Sequence, residues 1–260
     1  MAFPCLHTIQ KITPHIPRPV RTAIKFCLGW YRLVEGPLHY NQDGLATRYC
    51  CDFMKDPRFL AAYRCGEATG SWGEEKVHWR AFVACWAADK GKDLEGDFIE
   101  CGVNKGGLAR AVMEYINFKA LPKTFYLLDT FCGLSEKYIL PQERIDGIHP
   151  GGYEECYEQV RRTFAEFPNV RIVRGTVPDT LPQVAAKKVA YLSLDMNCVV
   201  PEVAAAEYFW DKLASGAVIV LDDYNFSNAQ NQRRGLDEFA ARKGVQVLAM
   251  PTGQGLIVKP

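Results

Sequence analysis

Two adjacent carboxylates, Asp222 and Asp223, follow directly on the apolar run Ala217 to Leu221 in the segment SGAVIVLDDY. A third, Asp195, ends another expected strand in YLSLDMN, 27 residues earlier. Unbroken apolar runs of this length are the pattern of strands buried on both faces, as in a parallel sheet covered by helices. In open sheets of that kind ligands bind outside the carboxyl ends of the strands, so the three acids are expected at one edge. Hard oxygen donors gathered near one point suit Mg²⁺ or another divalent cation, with water and substrate oxygens completing the shell. Taken singly, each acid also reads as an ordinary turn residue after a strand.

A further constellation lies upstream. The segment GDFIECGVNKGGLAR runs a strand into a glycine-bearing turn and then a helix. Glycines let backbone approach a ligand closely, and a helix start aims N–H groups at it. The spacing G-x-x-x-G-G is not the G-x-G-x-x-G of dinucleotide binders, and no His, Tyr or Lys constellation suited to hydride transfer accompanies it. A nicotinamide dehydrogenase is therefore disfavoured. Glu100 stands at the end of this first strand. Asp129 ends the next, where a carboxylate can accept hydrogen bonds from both hydroxyls of a ribose, with an N-cap or turn role as the alternative.

The elements that must position these residues alternate between strand and helix, which argues for an α/β fold with a doubly wound, mostly parallel sheet. Strands are expected at Asp97 to Cys101, Thr124 to Asp129, Val170 to Arg174, Val189 to Leu194 and Ala217 to Leu221. Helices are expected near Gly107 to Phe118, Tyr153 to Phe167, Val199 to Leu213 and Gln230 to Arg242. Val245 to Met250 and Leu256 to Lys259, around a turn at Pro251 to Gly255, read as a hairpin closing one edge, which makes seven strands in a mixed sheet. Before the sheet, two short helices are expected within Thr47 to Arg64, the second capped by Asp56 with Pro57 at its first position. A longer helix follows over Glu74 to Lys90, with Trp79 and Trp86 read as core and Arg80 as a surface residue.

At 260 residues the chain can bury one substantial core. Charged residues make up 23% and the formal net charge is +1, so attraction of a nucleic acid is not indicated. No apolar run reaches the length of a membrane span and no signal-peptide pattern is present, so a cytoplasmic location is expected. The ten cysteines show no C-x-x-C pair and the five histidines no ligand-like spacing, so free thiols are expected instead of disulfides or zinc; Cys85, Cys101 and Cys198 read as core fillers. Residues 1–45 carry five prolines. They read as an N-terminal extension, a cap or oligomer contact with a short amphipathic helix over Val20 to Val34, ahead of a main domain at 46–260.

In this order, GDFIECGVNKGG, LLDTFCGL, GTVPDTLP, SLDMN and GAVIVLDDY resemble the macrocin O-methyltransferase family, over about Trp72 to Pro260. The resemblance implies a Rossmann-like methyltransferase fold of class I, dependent on S-adenosylmethionine. It also implies a bound Mg²⁺, a sugar hydroxyl of a natural product as methyl acceptor, and a homo-oligomer. Carried over by motif, Glu100, Gly102, Gly106 and Gly107 would line the methionine and ribose side of the cofactor, and Asp129 would take the ribose hydroxyls. Thr176 and Val177 would border the adenine, and Asp195, Asp222 and Asp223 would resemble the metal ligands. The family often reads LDGD where this chain has LDMN, so Asn197 replaces an acid and the acceptor side is in doubt.

The expected reaction is methyl transfer to a hydroxyl of a sugar or other vicinal diol, with Asp195 as the candidate general base. A catechol-like acceptor presents the same pair of oxygens. From another class, a degenerate cofactor-binding scaffold is the alternative, with Asn197 in its favour.

Overall fold

The computed structural model describes residues 37–226 and 229–260. The helix expected over Val20 to Val34 lies outside them. Of the described residues, 37–41 and 46–50 form part of one compact unit, and Gln42–Leu45 with Cys51–Pro260 belong to another. Strands β1 (Tyr40–Gln42) and β2 (Leu45–Thr47) make a two-stranded ribbon whose tip, Gln42–Leu45, belongs to the second unit. Everything below concerns that second unit.

Helix α1 (Pro57–Glu67) starts as its sequence dictates: Asp56 accepts from the backbone N–H of Arg58 at 2.8 Å, and Pro57 occupies a position whose N–H has no helical partner. Helix α2 (His78–Gly91) is shorter at its start than expected, with Val77 outside it. Trp86 is a correction to the sequence reading: it is 40% exposed, with the Lys90 ammonium over its ring, and not part of the core. Strand β3 (Asp97–Cys101) leads through the glycine turn into α3 (Gly107–Tyr115). That helix stops short of Phe118 because Asn117 takes a left-handed φ of 50° and a 3₁₀ turn follows.

After β4 (Phe125–Asp129) comes an insertion carrying a short helix, α4 (Pro141–Ile145), that the sequence pattern did not suggest. Helix α5 is Tyr157–Thr163, so the helix expected from Tyr153 begins four residues late. Gly151 instead bridges to Leu134, and the N–H of Cys156 donates to Phe131 O, which keeps this stretch extended. The remaining elements are β5 (Val170–Arg174), β6 (Val189–Leu194), α6 (Val199–Trp210), β7 (Leu213–Leu221), α7 (Gln230–Arg242), β8 (Leu248–Ala249) and β9 (Gly255–Val258). The penultimate strand is much shorter than expected; Leu248 there is 61% exposed at an edge with one neighbour.

The sheet has seven strands in the order β5-β4-β3-β6-β7-β9-β8. Strands β3 to β7 pair in parallel, and β9 runs antiparallel to β7 and β8. The doubly wound, Rossmann-like arrangement expected from the alternating pattern is thus the one observed. All six residues of β6 are buried, as a central strand covered on both faces requires. Phe98, Phe118, Phe125 and Tyr191 pack on one face and Leu192, Leu194, Phe209 and Ile219 on the other. Each such side chain contributes roughly 1.5–3 kcal/mol of burial free energy. Cys85, Cys101 and Cys198 are buried free thiols. Among the described residues, no helix is long and apolar enough to cross a membrane.

Candidate active site

Strands β6 and β7 are neighbours, so the acids that end them meet. One oxygen each from Asp195, Asp222 and Asp223 lies within 4.8 Å of the others. Asp222 is buried and held from two sides: Gln254 Nε2 donates to its Oδ1 at 2.8 Å, and Arg80 Nη1 donates to its Oδ2 at 2.8 Å. Asn197, at a left-handed φ of 56°, donates from Nδ2 to Asp195 Oδ1 at 3.3 Å.

So many carboxylates in so little water repel one another. Burial, then the charges of Asp222 and Asp223, push the Asp195 pKa well above the ordinary carboxylate range. Burial and the Asp222 charge push Asp223 up to about 7. The cluster is therefore short of positive charge, and three oxygen donors in such a cluster fit a hard divalent cation. Arg80 is the protein's own partial answer. Burial works against its charge, yet the carboxylates of Asp222 and Asp43 outweigh that and hold its pKa up.

The turn after β3 is equally crowded. Gly102 has φ 87°, and a Cβ there would lie 1.8 Å from the carbonyl oxygen of Asp195. Only glycine lets the end of β3 sit against the end of β6. Asp129 ties down the same turn: its Oδ2 accepts from the N–H groups of Val103 at 2.6 Å and Asn104 at 2.8 Å, and its Oδ1 from Phe131 N at 2.7 Å. The Thr130 hydroxyl lies 3.2 Å from Oδ1 but 2.6 Å from Gly133 O, so its single proton goes to the carbonyl. With these backbone donors in place, Oδ1 of Asp129 keeps an acceptor position towards the cavity. Ser71 Oγ accepts from Gly107 N at 2.9 Å at the start of α3.

Two adjoining cavities open along this edge. The first is lined among others by Gly102, Asp129, Phe131, Thr176, Val177 and Asn197. The second is lined among others by Arg80, Glu100, Gly107, Asp195, Asp222 and Asp223. Gly102, Asn104, Tyr153, Asp195 and Asn197 line both. A recess with a glycine-walled cradle and a few convergent polar groups suits a nucleoside-bearing cofactor. Glu100 faces the acid side, 2% exposed, and burial with the Asp222 charge pushes its pKa well up. Gly106 is placed elsewhere: its Cβ position is filled by the Phe164 ring, and it lines neither cavity.

Four contributors were not legible as such in the sequence. Arg80, read as a surface residue, is 19% exposed and paired with two acids, a correction that its place beside the apolar stretch Ala81 to Ala88 of α2 could have signalled. Gln254 sits in a turn that resembles any other. Tyr153 stands at the junction of the cavities, and burial with the charges of Asp195 and Asp223 pushes its phenol up to about 12. Glu202, buried on α6, accepts from Met196 N at 3.1 Å and Gln232 Nε2 at 3.2 Å and so braces the turn after β6.

A family model described as macrocin-O-methyltransferase (TylF) matches residues 58–250. The chain belongs to the macrocin-O-methyltransferase family. A curated relative from Streptomyces olivaceus, 8-demethyl-8-(2,3-dimethoxy-alpha-L-rhamnosyl)-tetracenomycin-C 4'-O-methyltransferase, is 28% identical over 142 residues. That match spans 50% of this chain and 54% of the relative, about half its length. Among solved structures, the O-methyltransferase NovP is 21% identical, with a TM-score of 0.59 over 69% of this chain and 79% of that one. The calicheamicin methyltransferase CalS11 is 12% identical, with a TM-score of 0.53 over 86% of this chain and 99% of that one. Both agree with the sheet described above. Within the family match lie the glycine turn, Asp129 and all three clustered acids, whereas Gln254 falls beyond it.

Proposed function

We propose that this chain is an S-adenosylmethionine-dependent O-methyltransferase acting on a hydroxyl of a sugar or glycosylated natural product, assisted by a divalent cation. The observation that carries this reading is the shared wall: a glycine-cradled cavity abuts an electron-rich acid cluster through Gly102 and Asp195. The Streptomyces olivaceus relative, whose name specifies a 4'-O-methyltransferase of a rhamnosyl-bearing compound, supports a sugar acceptor.

When bound, S-adenosylmethionine supplies a methyl group on a sulfonium, and a divalent cation lowers the proton affinity of an adjacent hydroxyl. The residues suited to hold that cation are Asp195, Asp222 and Asp223. Gly102, Asp129, Thr176 and Val177 would seat the nucleoside end, with the open position of Asp129 Oδ1 accepting a ribose hydroxyl. Glu100 and Gly107 lie on the acid side, nearer the expected methionine end. By closing the distance between the two cavities, Gly102 lets the chain hold methyl donor and acceptor side by side, which converts an encounter into an oriented displacement. Asp195, its orientation fixed by the Asn197 amide, would receive the acceptor's proton. Residues of the insertion after β4, including Phe131 and Tyr138, wall the cofactor cavity against water. A homo-oligomer belongs to the same reading and is tested by light scattering.

Calorimetry with S-adenosylhomocysteine, with and without Mg²⁺, followed by a screen of glycosides and catechols as methyl acceptors, tests the proposal. Asp222→Ala should lose cation-dependent turnover while keeping affinity for S-adenosylhomocysteine within a few-fold. Full methylation in excess chelator would remove the cation from the reading, and absence of S-adenosylhomocysteine binding under either condition would favour a scaffold.

A further inference from the structure

Arg80 occupies an unusual place for a cation beside a cluster of metal-ligating type. It comes from α2, reaches across to the end of β7, and donates Nη1 to Asp222 Oδ2. Its other edge is clamped by Asp43 at the ribbon tip, Nε to Oδ2 at 2.8 Å and Nη2 to Oδ1 at 3.1 Å. Both partners are secluded, the side chain of Asp43 being 9% exposed and that of Asp222 2%. Such a two-pronged grip on a planar fork fixes the guanidinium in place, where an exposed arginine would swing into solvent.

We propose that Arg80 is a built-in counter-cation that competes with the divalent ion for Asp222, so that the ion exchanges freely and is not a resident part of the fold. The inference rests on the cation-assisted reading above and adds to it the residue that sets cation affinity. A cation bound by the triad and the guanidinium would share one carboxylate at close range, and like charges that near repel. In exchange, the empty cluster is partly neutralised and the fold tolerates it. Asp222 does not need Arg80 to stay aimed, because Gln254, itself fully buried, holds its other oxygen. Removing the guanidinium therefore removes a competitor while leaving the ligand oxygens where they are.

The experiment measures Mn²⁺ affinity by electron paramagnetic resonance and Tb³⁺ affinity by luminescence for the wild-type chain, Arg80→Gln and Arg80→Lys, with S-adenosylhomocysteine affinity as the check on folding. Arg80→Gln should bind Mn²⁺ at least tenfold more tightly than wild type, and its gain for Tb³⁺ should be larger still, since a trivalent ion feels the lost charge more. Arg80→Lys should stay nearer wild type. An Arg80→Gln chain that keeps S-adenosylhomocysteine binding yet holds Mn²⁺ no more tightly overturns the inference and leaves the cation-assisted reading standing. A wild-type chain that binds no Mn²⁺ sinks both. Should Arg80→Gln fail to fold, the wild-type chain decides: the Arg80 Nη1–H resonance, which reports the bond to Asp222 and is assigned by its absence in Arg80→Lys, should shift on titration with Mg²⁺ as Asp222 is drawn away. An unmoved resonance at saturating Mg²⁺ overturns the proposal.

Discussion

Replacement of Gly102 by alanine tests the link between the cofactor turn and the acid cluster most directly. Two costs are separable. At φ 87° an L-residue takes on left-handed strain of about 1–2 kcal/mol. The added Cβ also meets Asp195 O at 1.8 Å and Asp195 C at 2.4 Å, and these are backbone atoms that cannot rotate away. Overpacking of that kind adds about 1–3 kcal/mol. The total, about 2–5 kcal/mol, is a large part of the roughly 5–15 kcal/mol that keeps a domain folded. If the chain relaxes by shifting the turn instead of unfolding, every 1.4 kcal/mol or so of strain that binding must undo costs about tenfold in affinity. Gly147→Ala is the control, because its φ of 96° carries the conformational strain while nothing lies within 4 Å of the new Cβ. Urea unfolding and calorimetry with S-adenosylhomocysteine should find Gly102→Ala well below Gly147→Ala in stability and at least tenfold weaker than wild type in binding. Equal stability of the two variants, with wild-type affinity in Gly102→Ala, would refute the coupling through that close approach.

Two further substitutions probe the groups that brace the site. In Asp129→Asn the new NH₂ must face backbone donors whichever way the amide turns, Val103 and Asn104 on one side or Phe131 on the other. An unpaired buried donor costs about 1–3 kcal/mol, so both the melting temperature and S-adenosylhomocysteine affinity should fall together, and a loss confined to affinity would mean that Asp129 serves the ligand alone. Burial and the Asp223 charge push Glu202 up to about 8 from the usual 4.5. Folded, it keeps its proton until about pH 8, whereas the unfolded chain releases it near 4.5, so stability is lost as pH rises through that window. At about 1.36 kcal/mol per unit the contribution is bounded near 5 kcal/mol. Glu202→Gln retains an acceptor for Met196 and Gln232, so its urea midpoint should decline less between pH 5 and pH 8 than that of wild type; parallel curves would mean that Glu202 is already ionised in the fold.

The strand ends were legible because their signal is local. The apolar run AVIVL and the run VAYLSL, broken only by Ser193, declare buried strands, and an acid placed directly after a strand of an α/β sheet lies at the ligand-binding edge whatever the rest of the chain does. The same logic placed β3, β5 and β6 at their observed bounds. Helix ends were less legible, because they depend on where the backbone leaves the helix. Asn117 turns left-handed before Phe118, and the bridge between Leu134 and Gly151 keeps residues ahead of Tyr157 extended.

By itself, then, the sequence determined the alternating architecture, the glycine turn and the three acids, since each is specified by periodicity or by position next to a strand. Tertiary structure alone decided what surrounds them. Arg80 reaches Asp222 across 142 residues and Gln254 reaches it across 32, so neither pairing leaves a mark in local pattern. The need for glycine at 102 likewise comes from the carbonyl of Asp195, just past the end of the neighbouring strand. An arginine on a helix or a glutamine in a turn has no assigned meaning until the sheet closes around it, because its partner is chosen by the packing of distant elements.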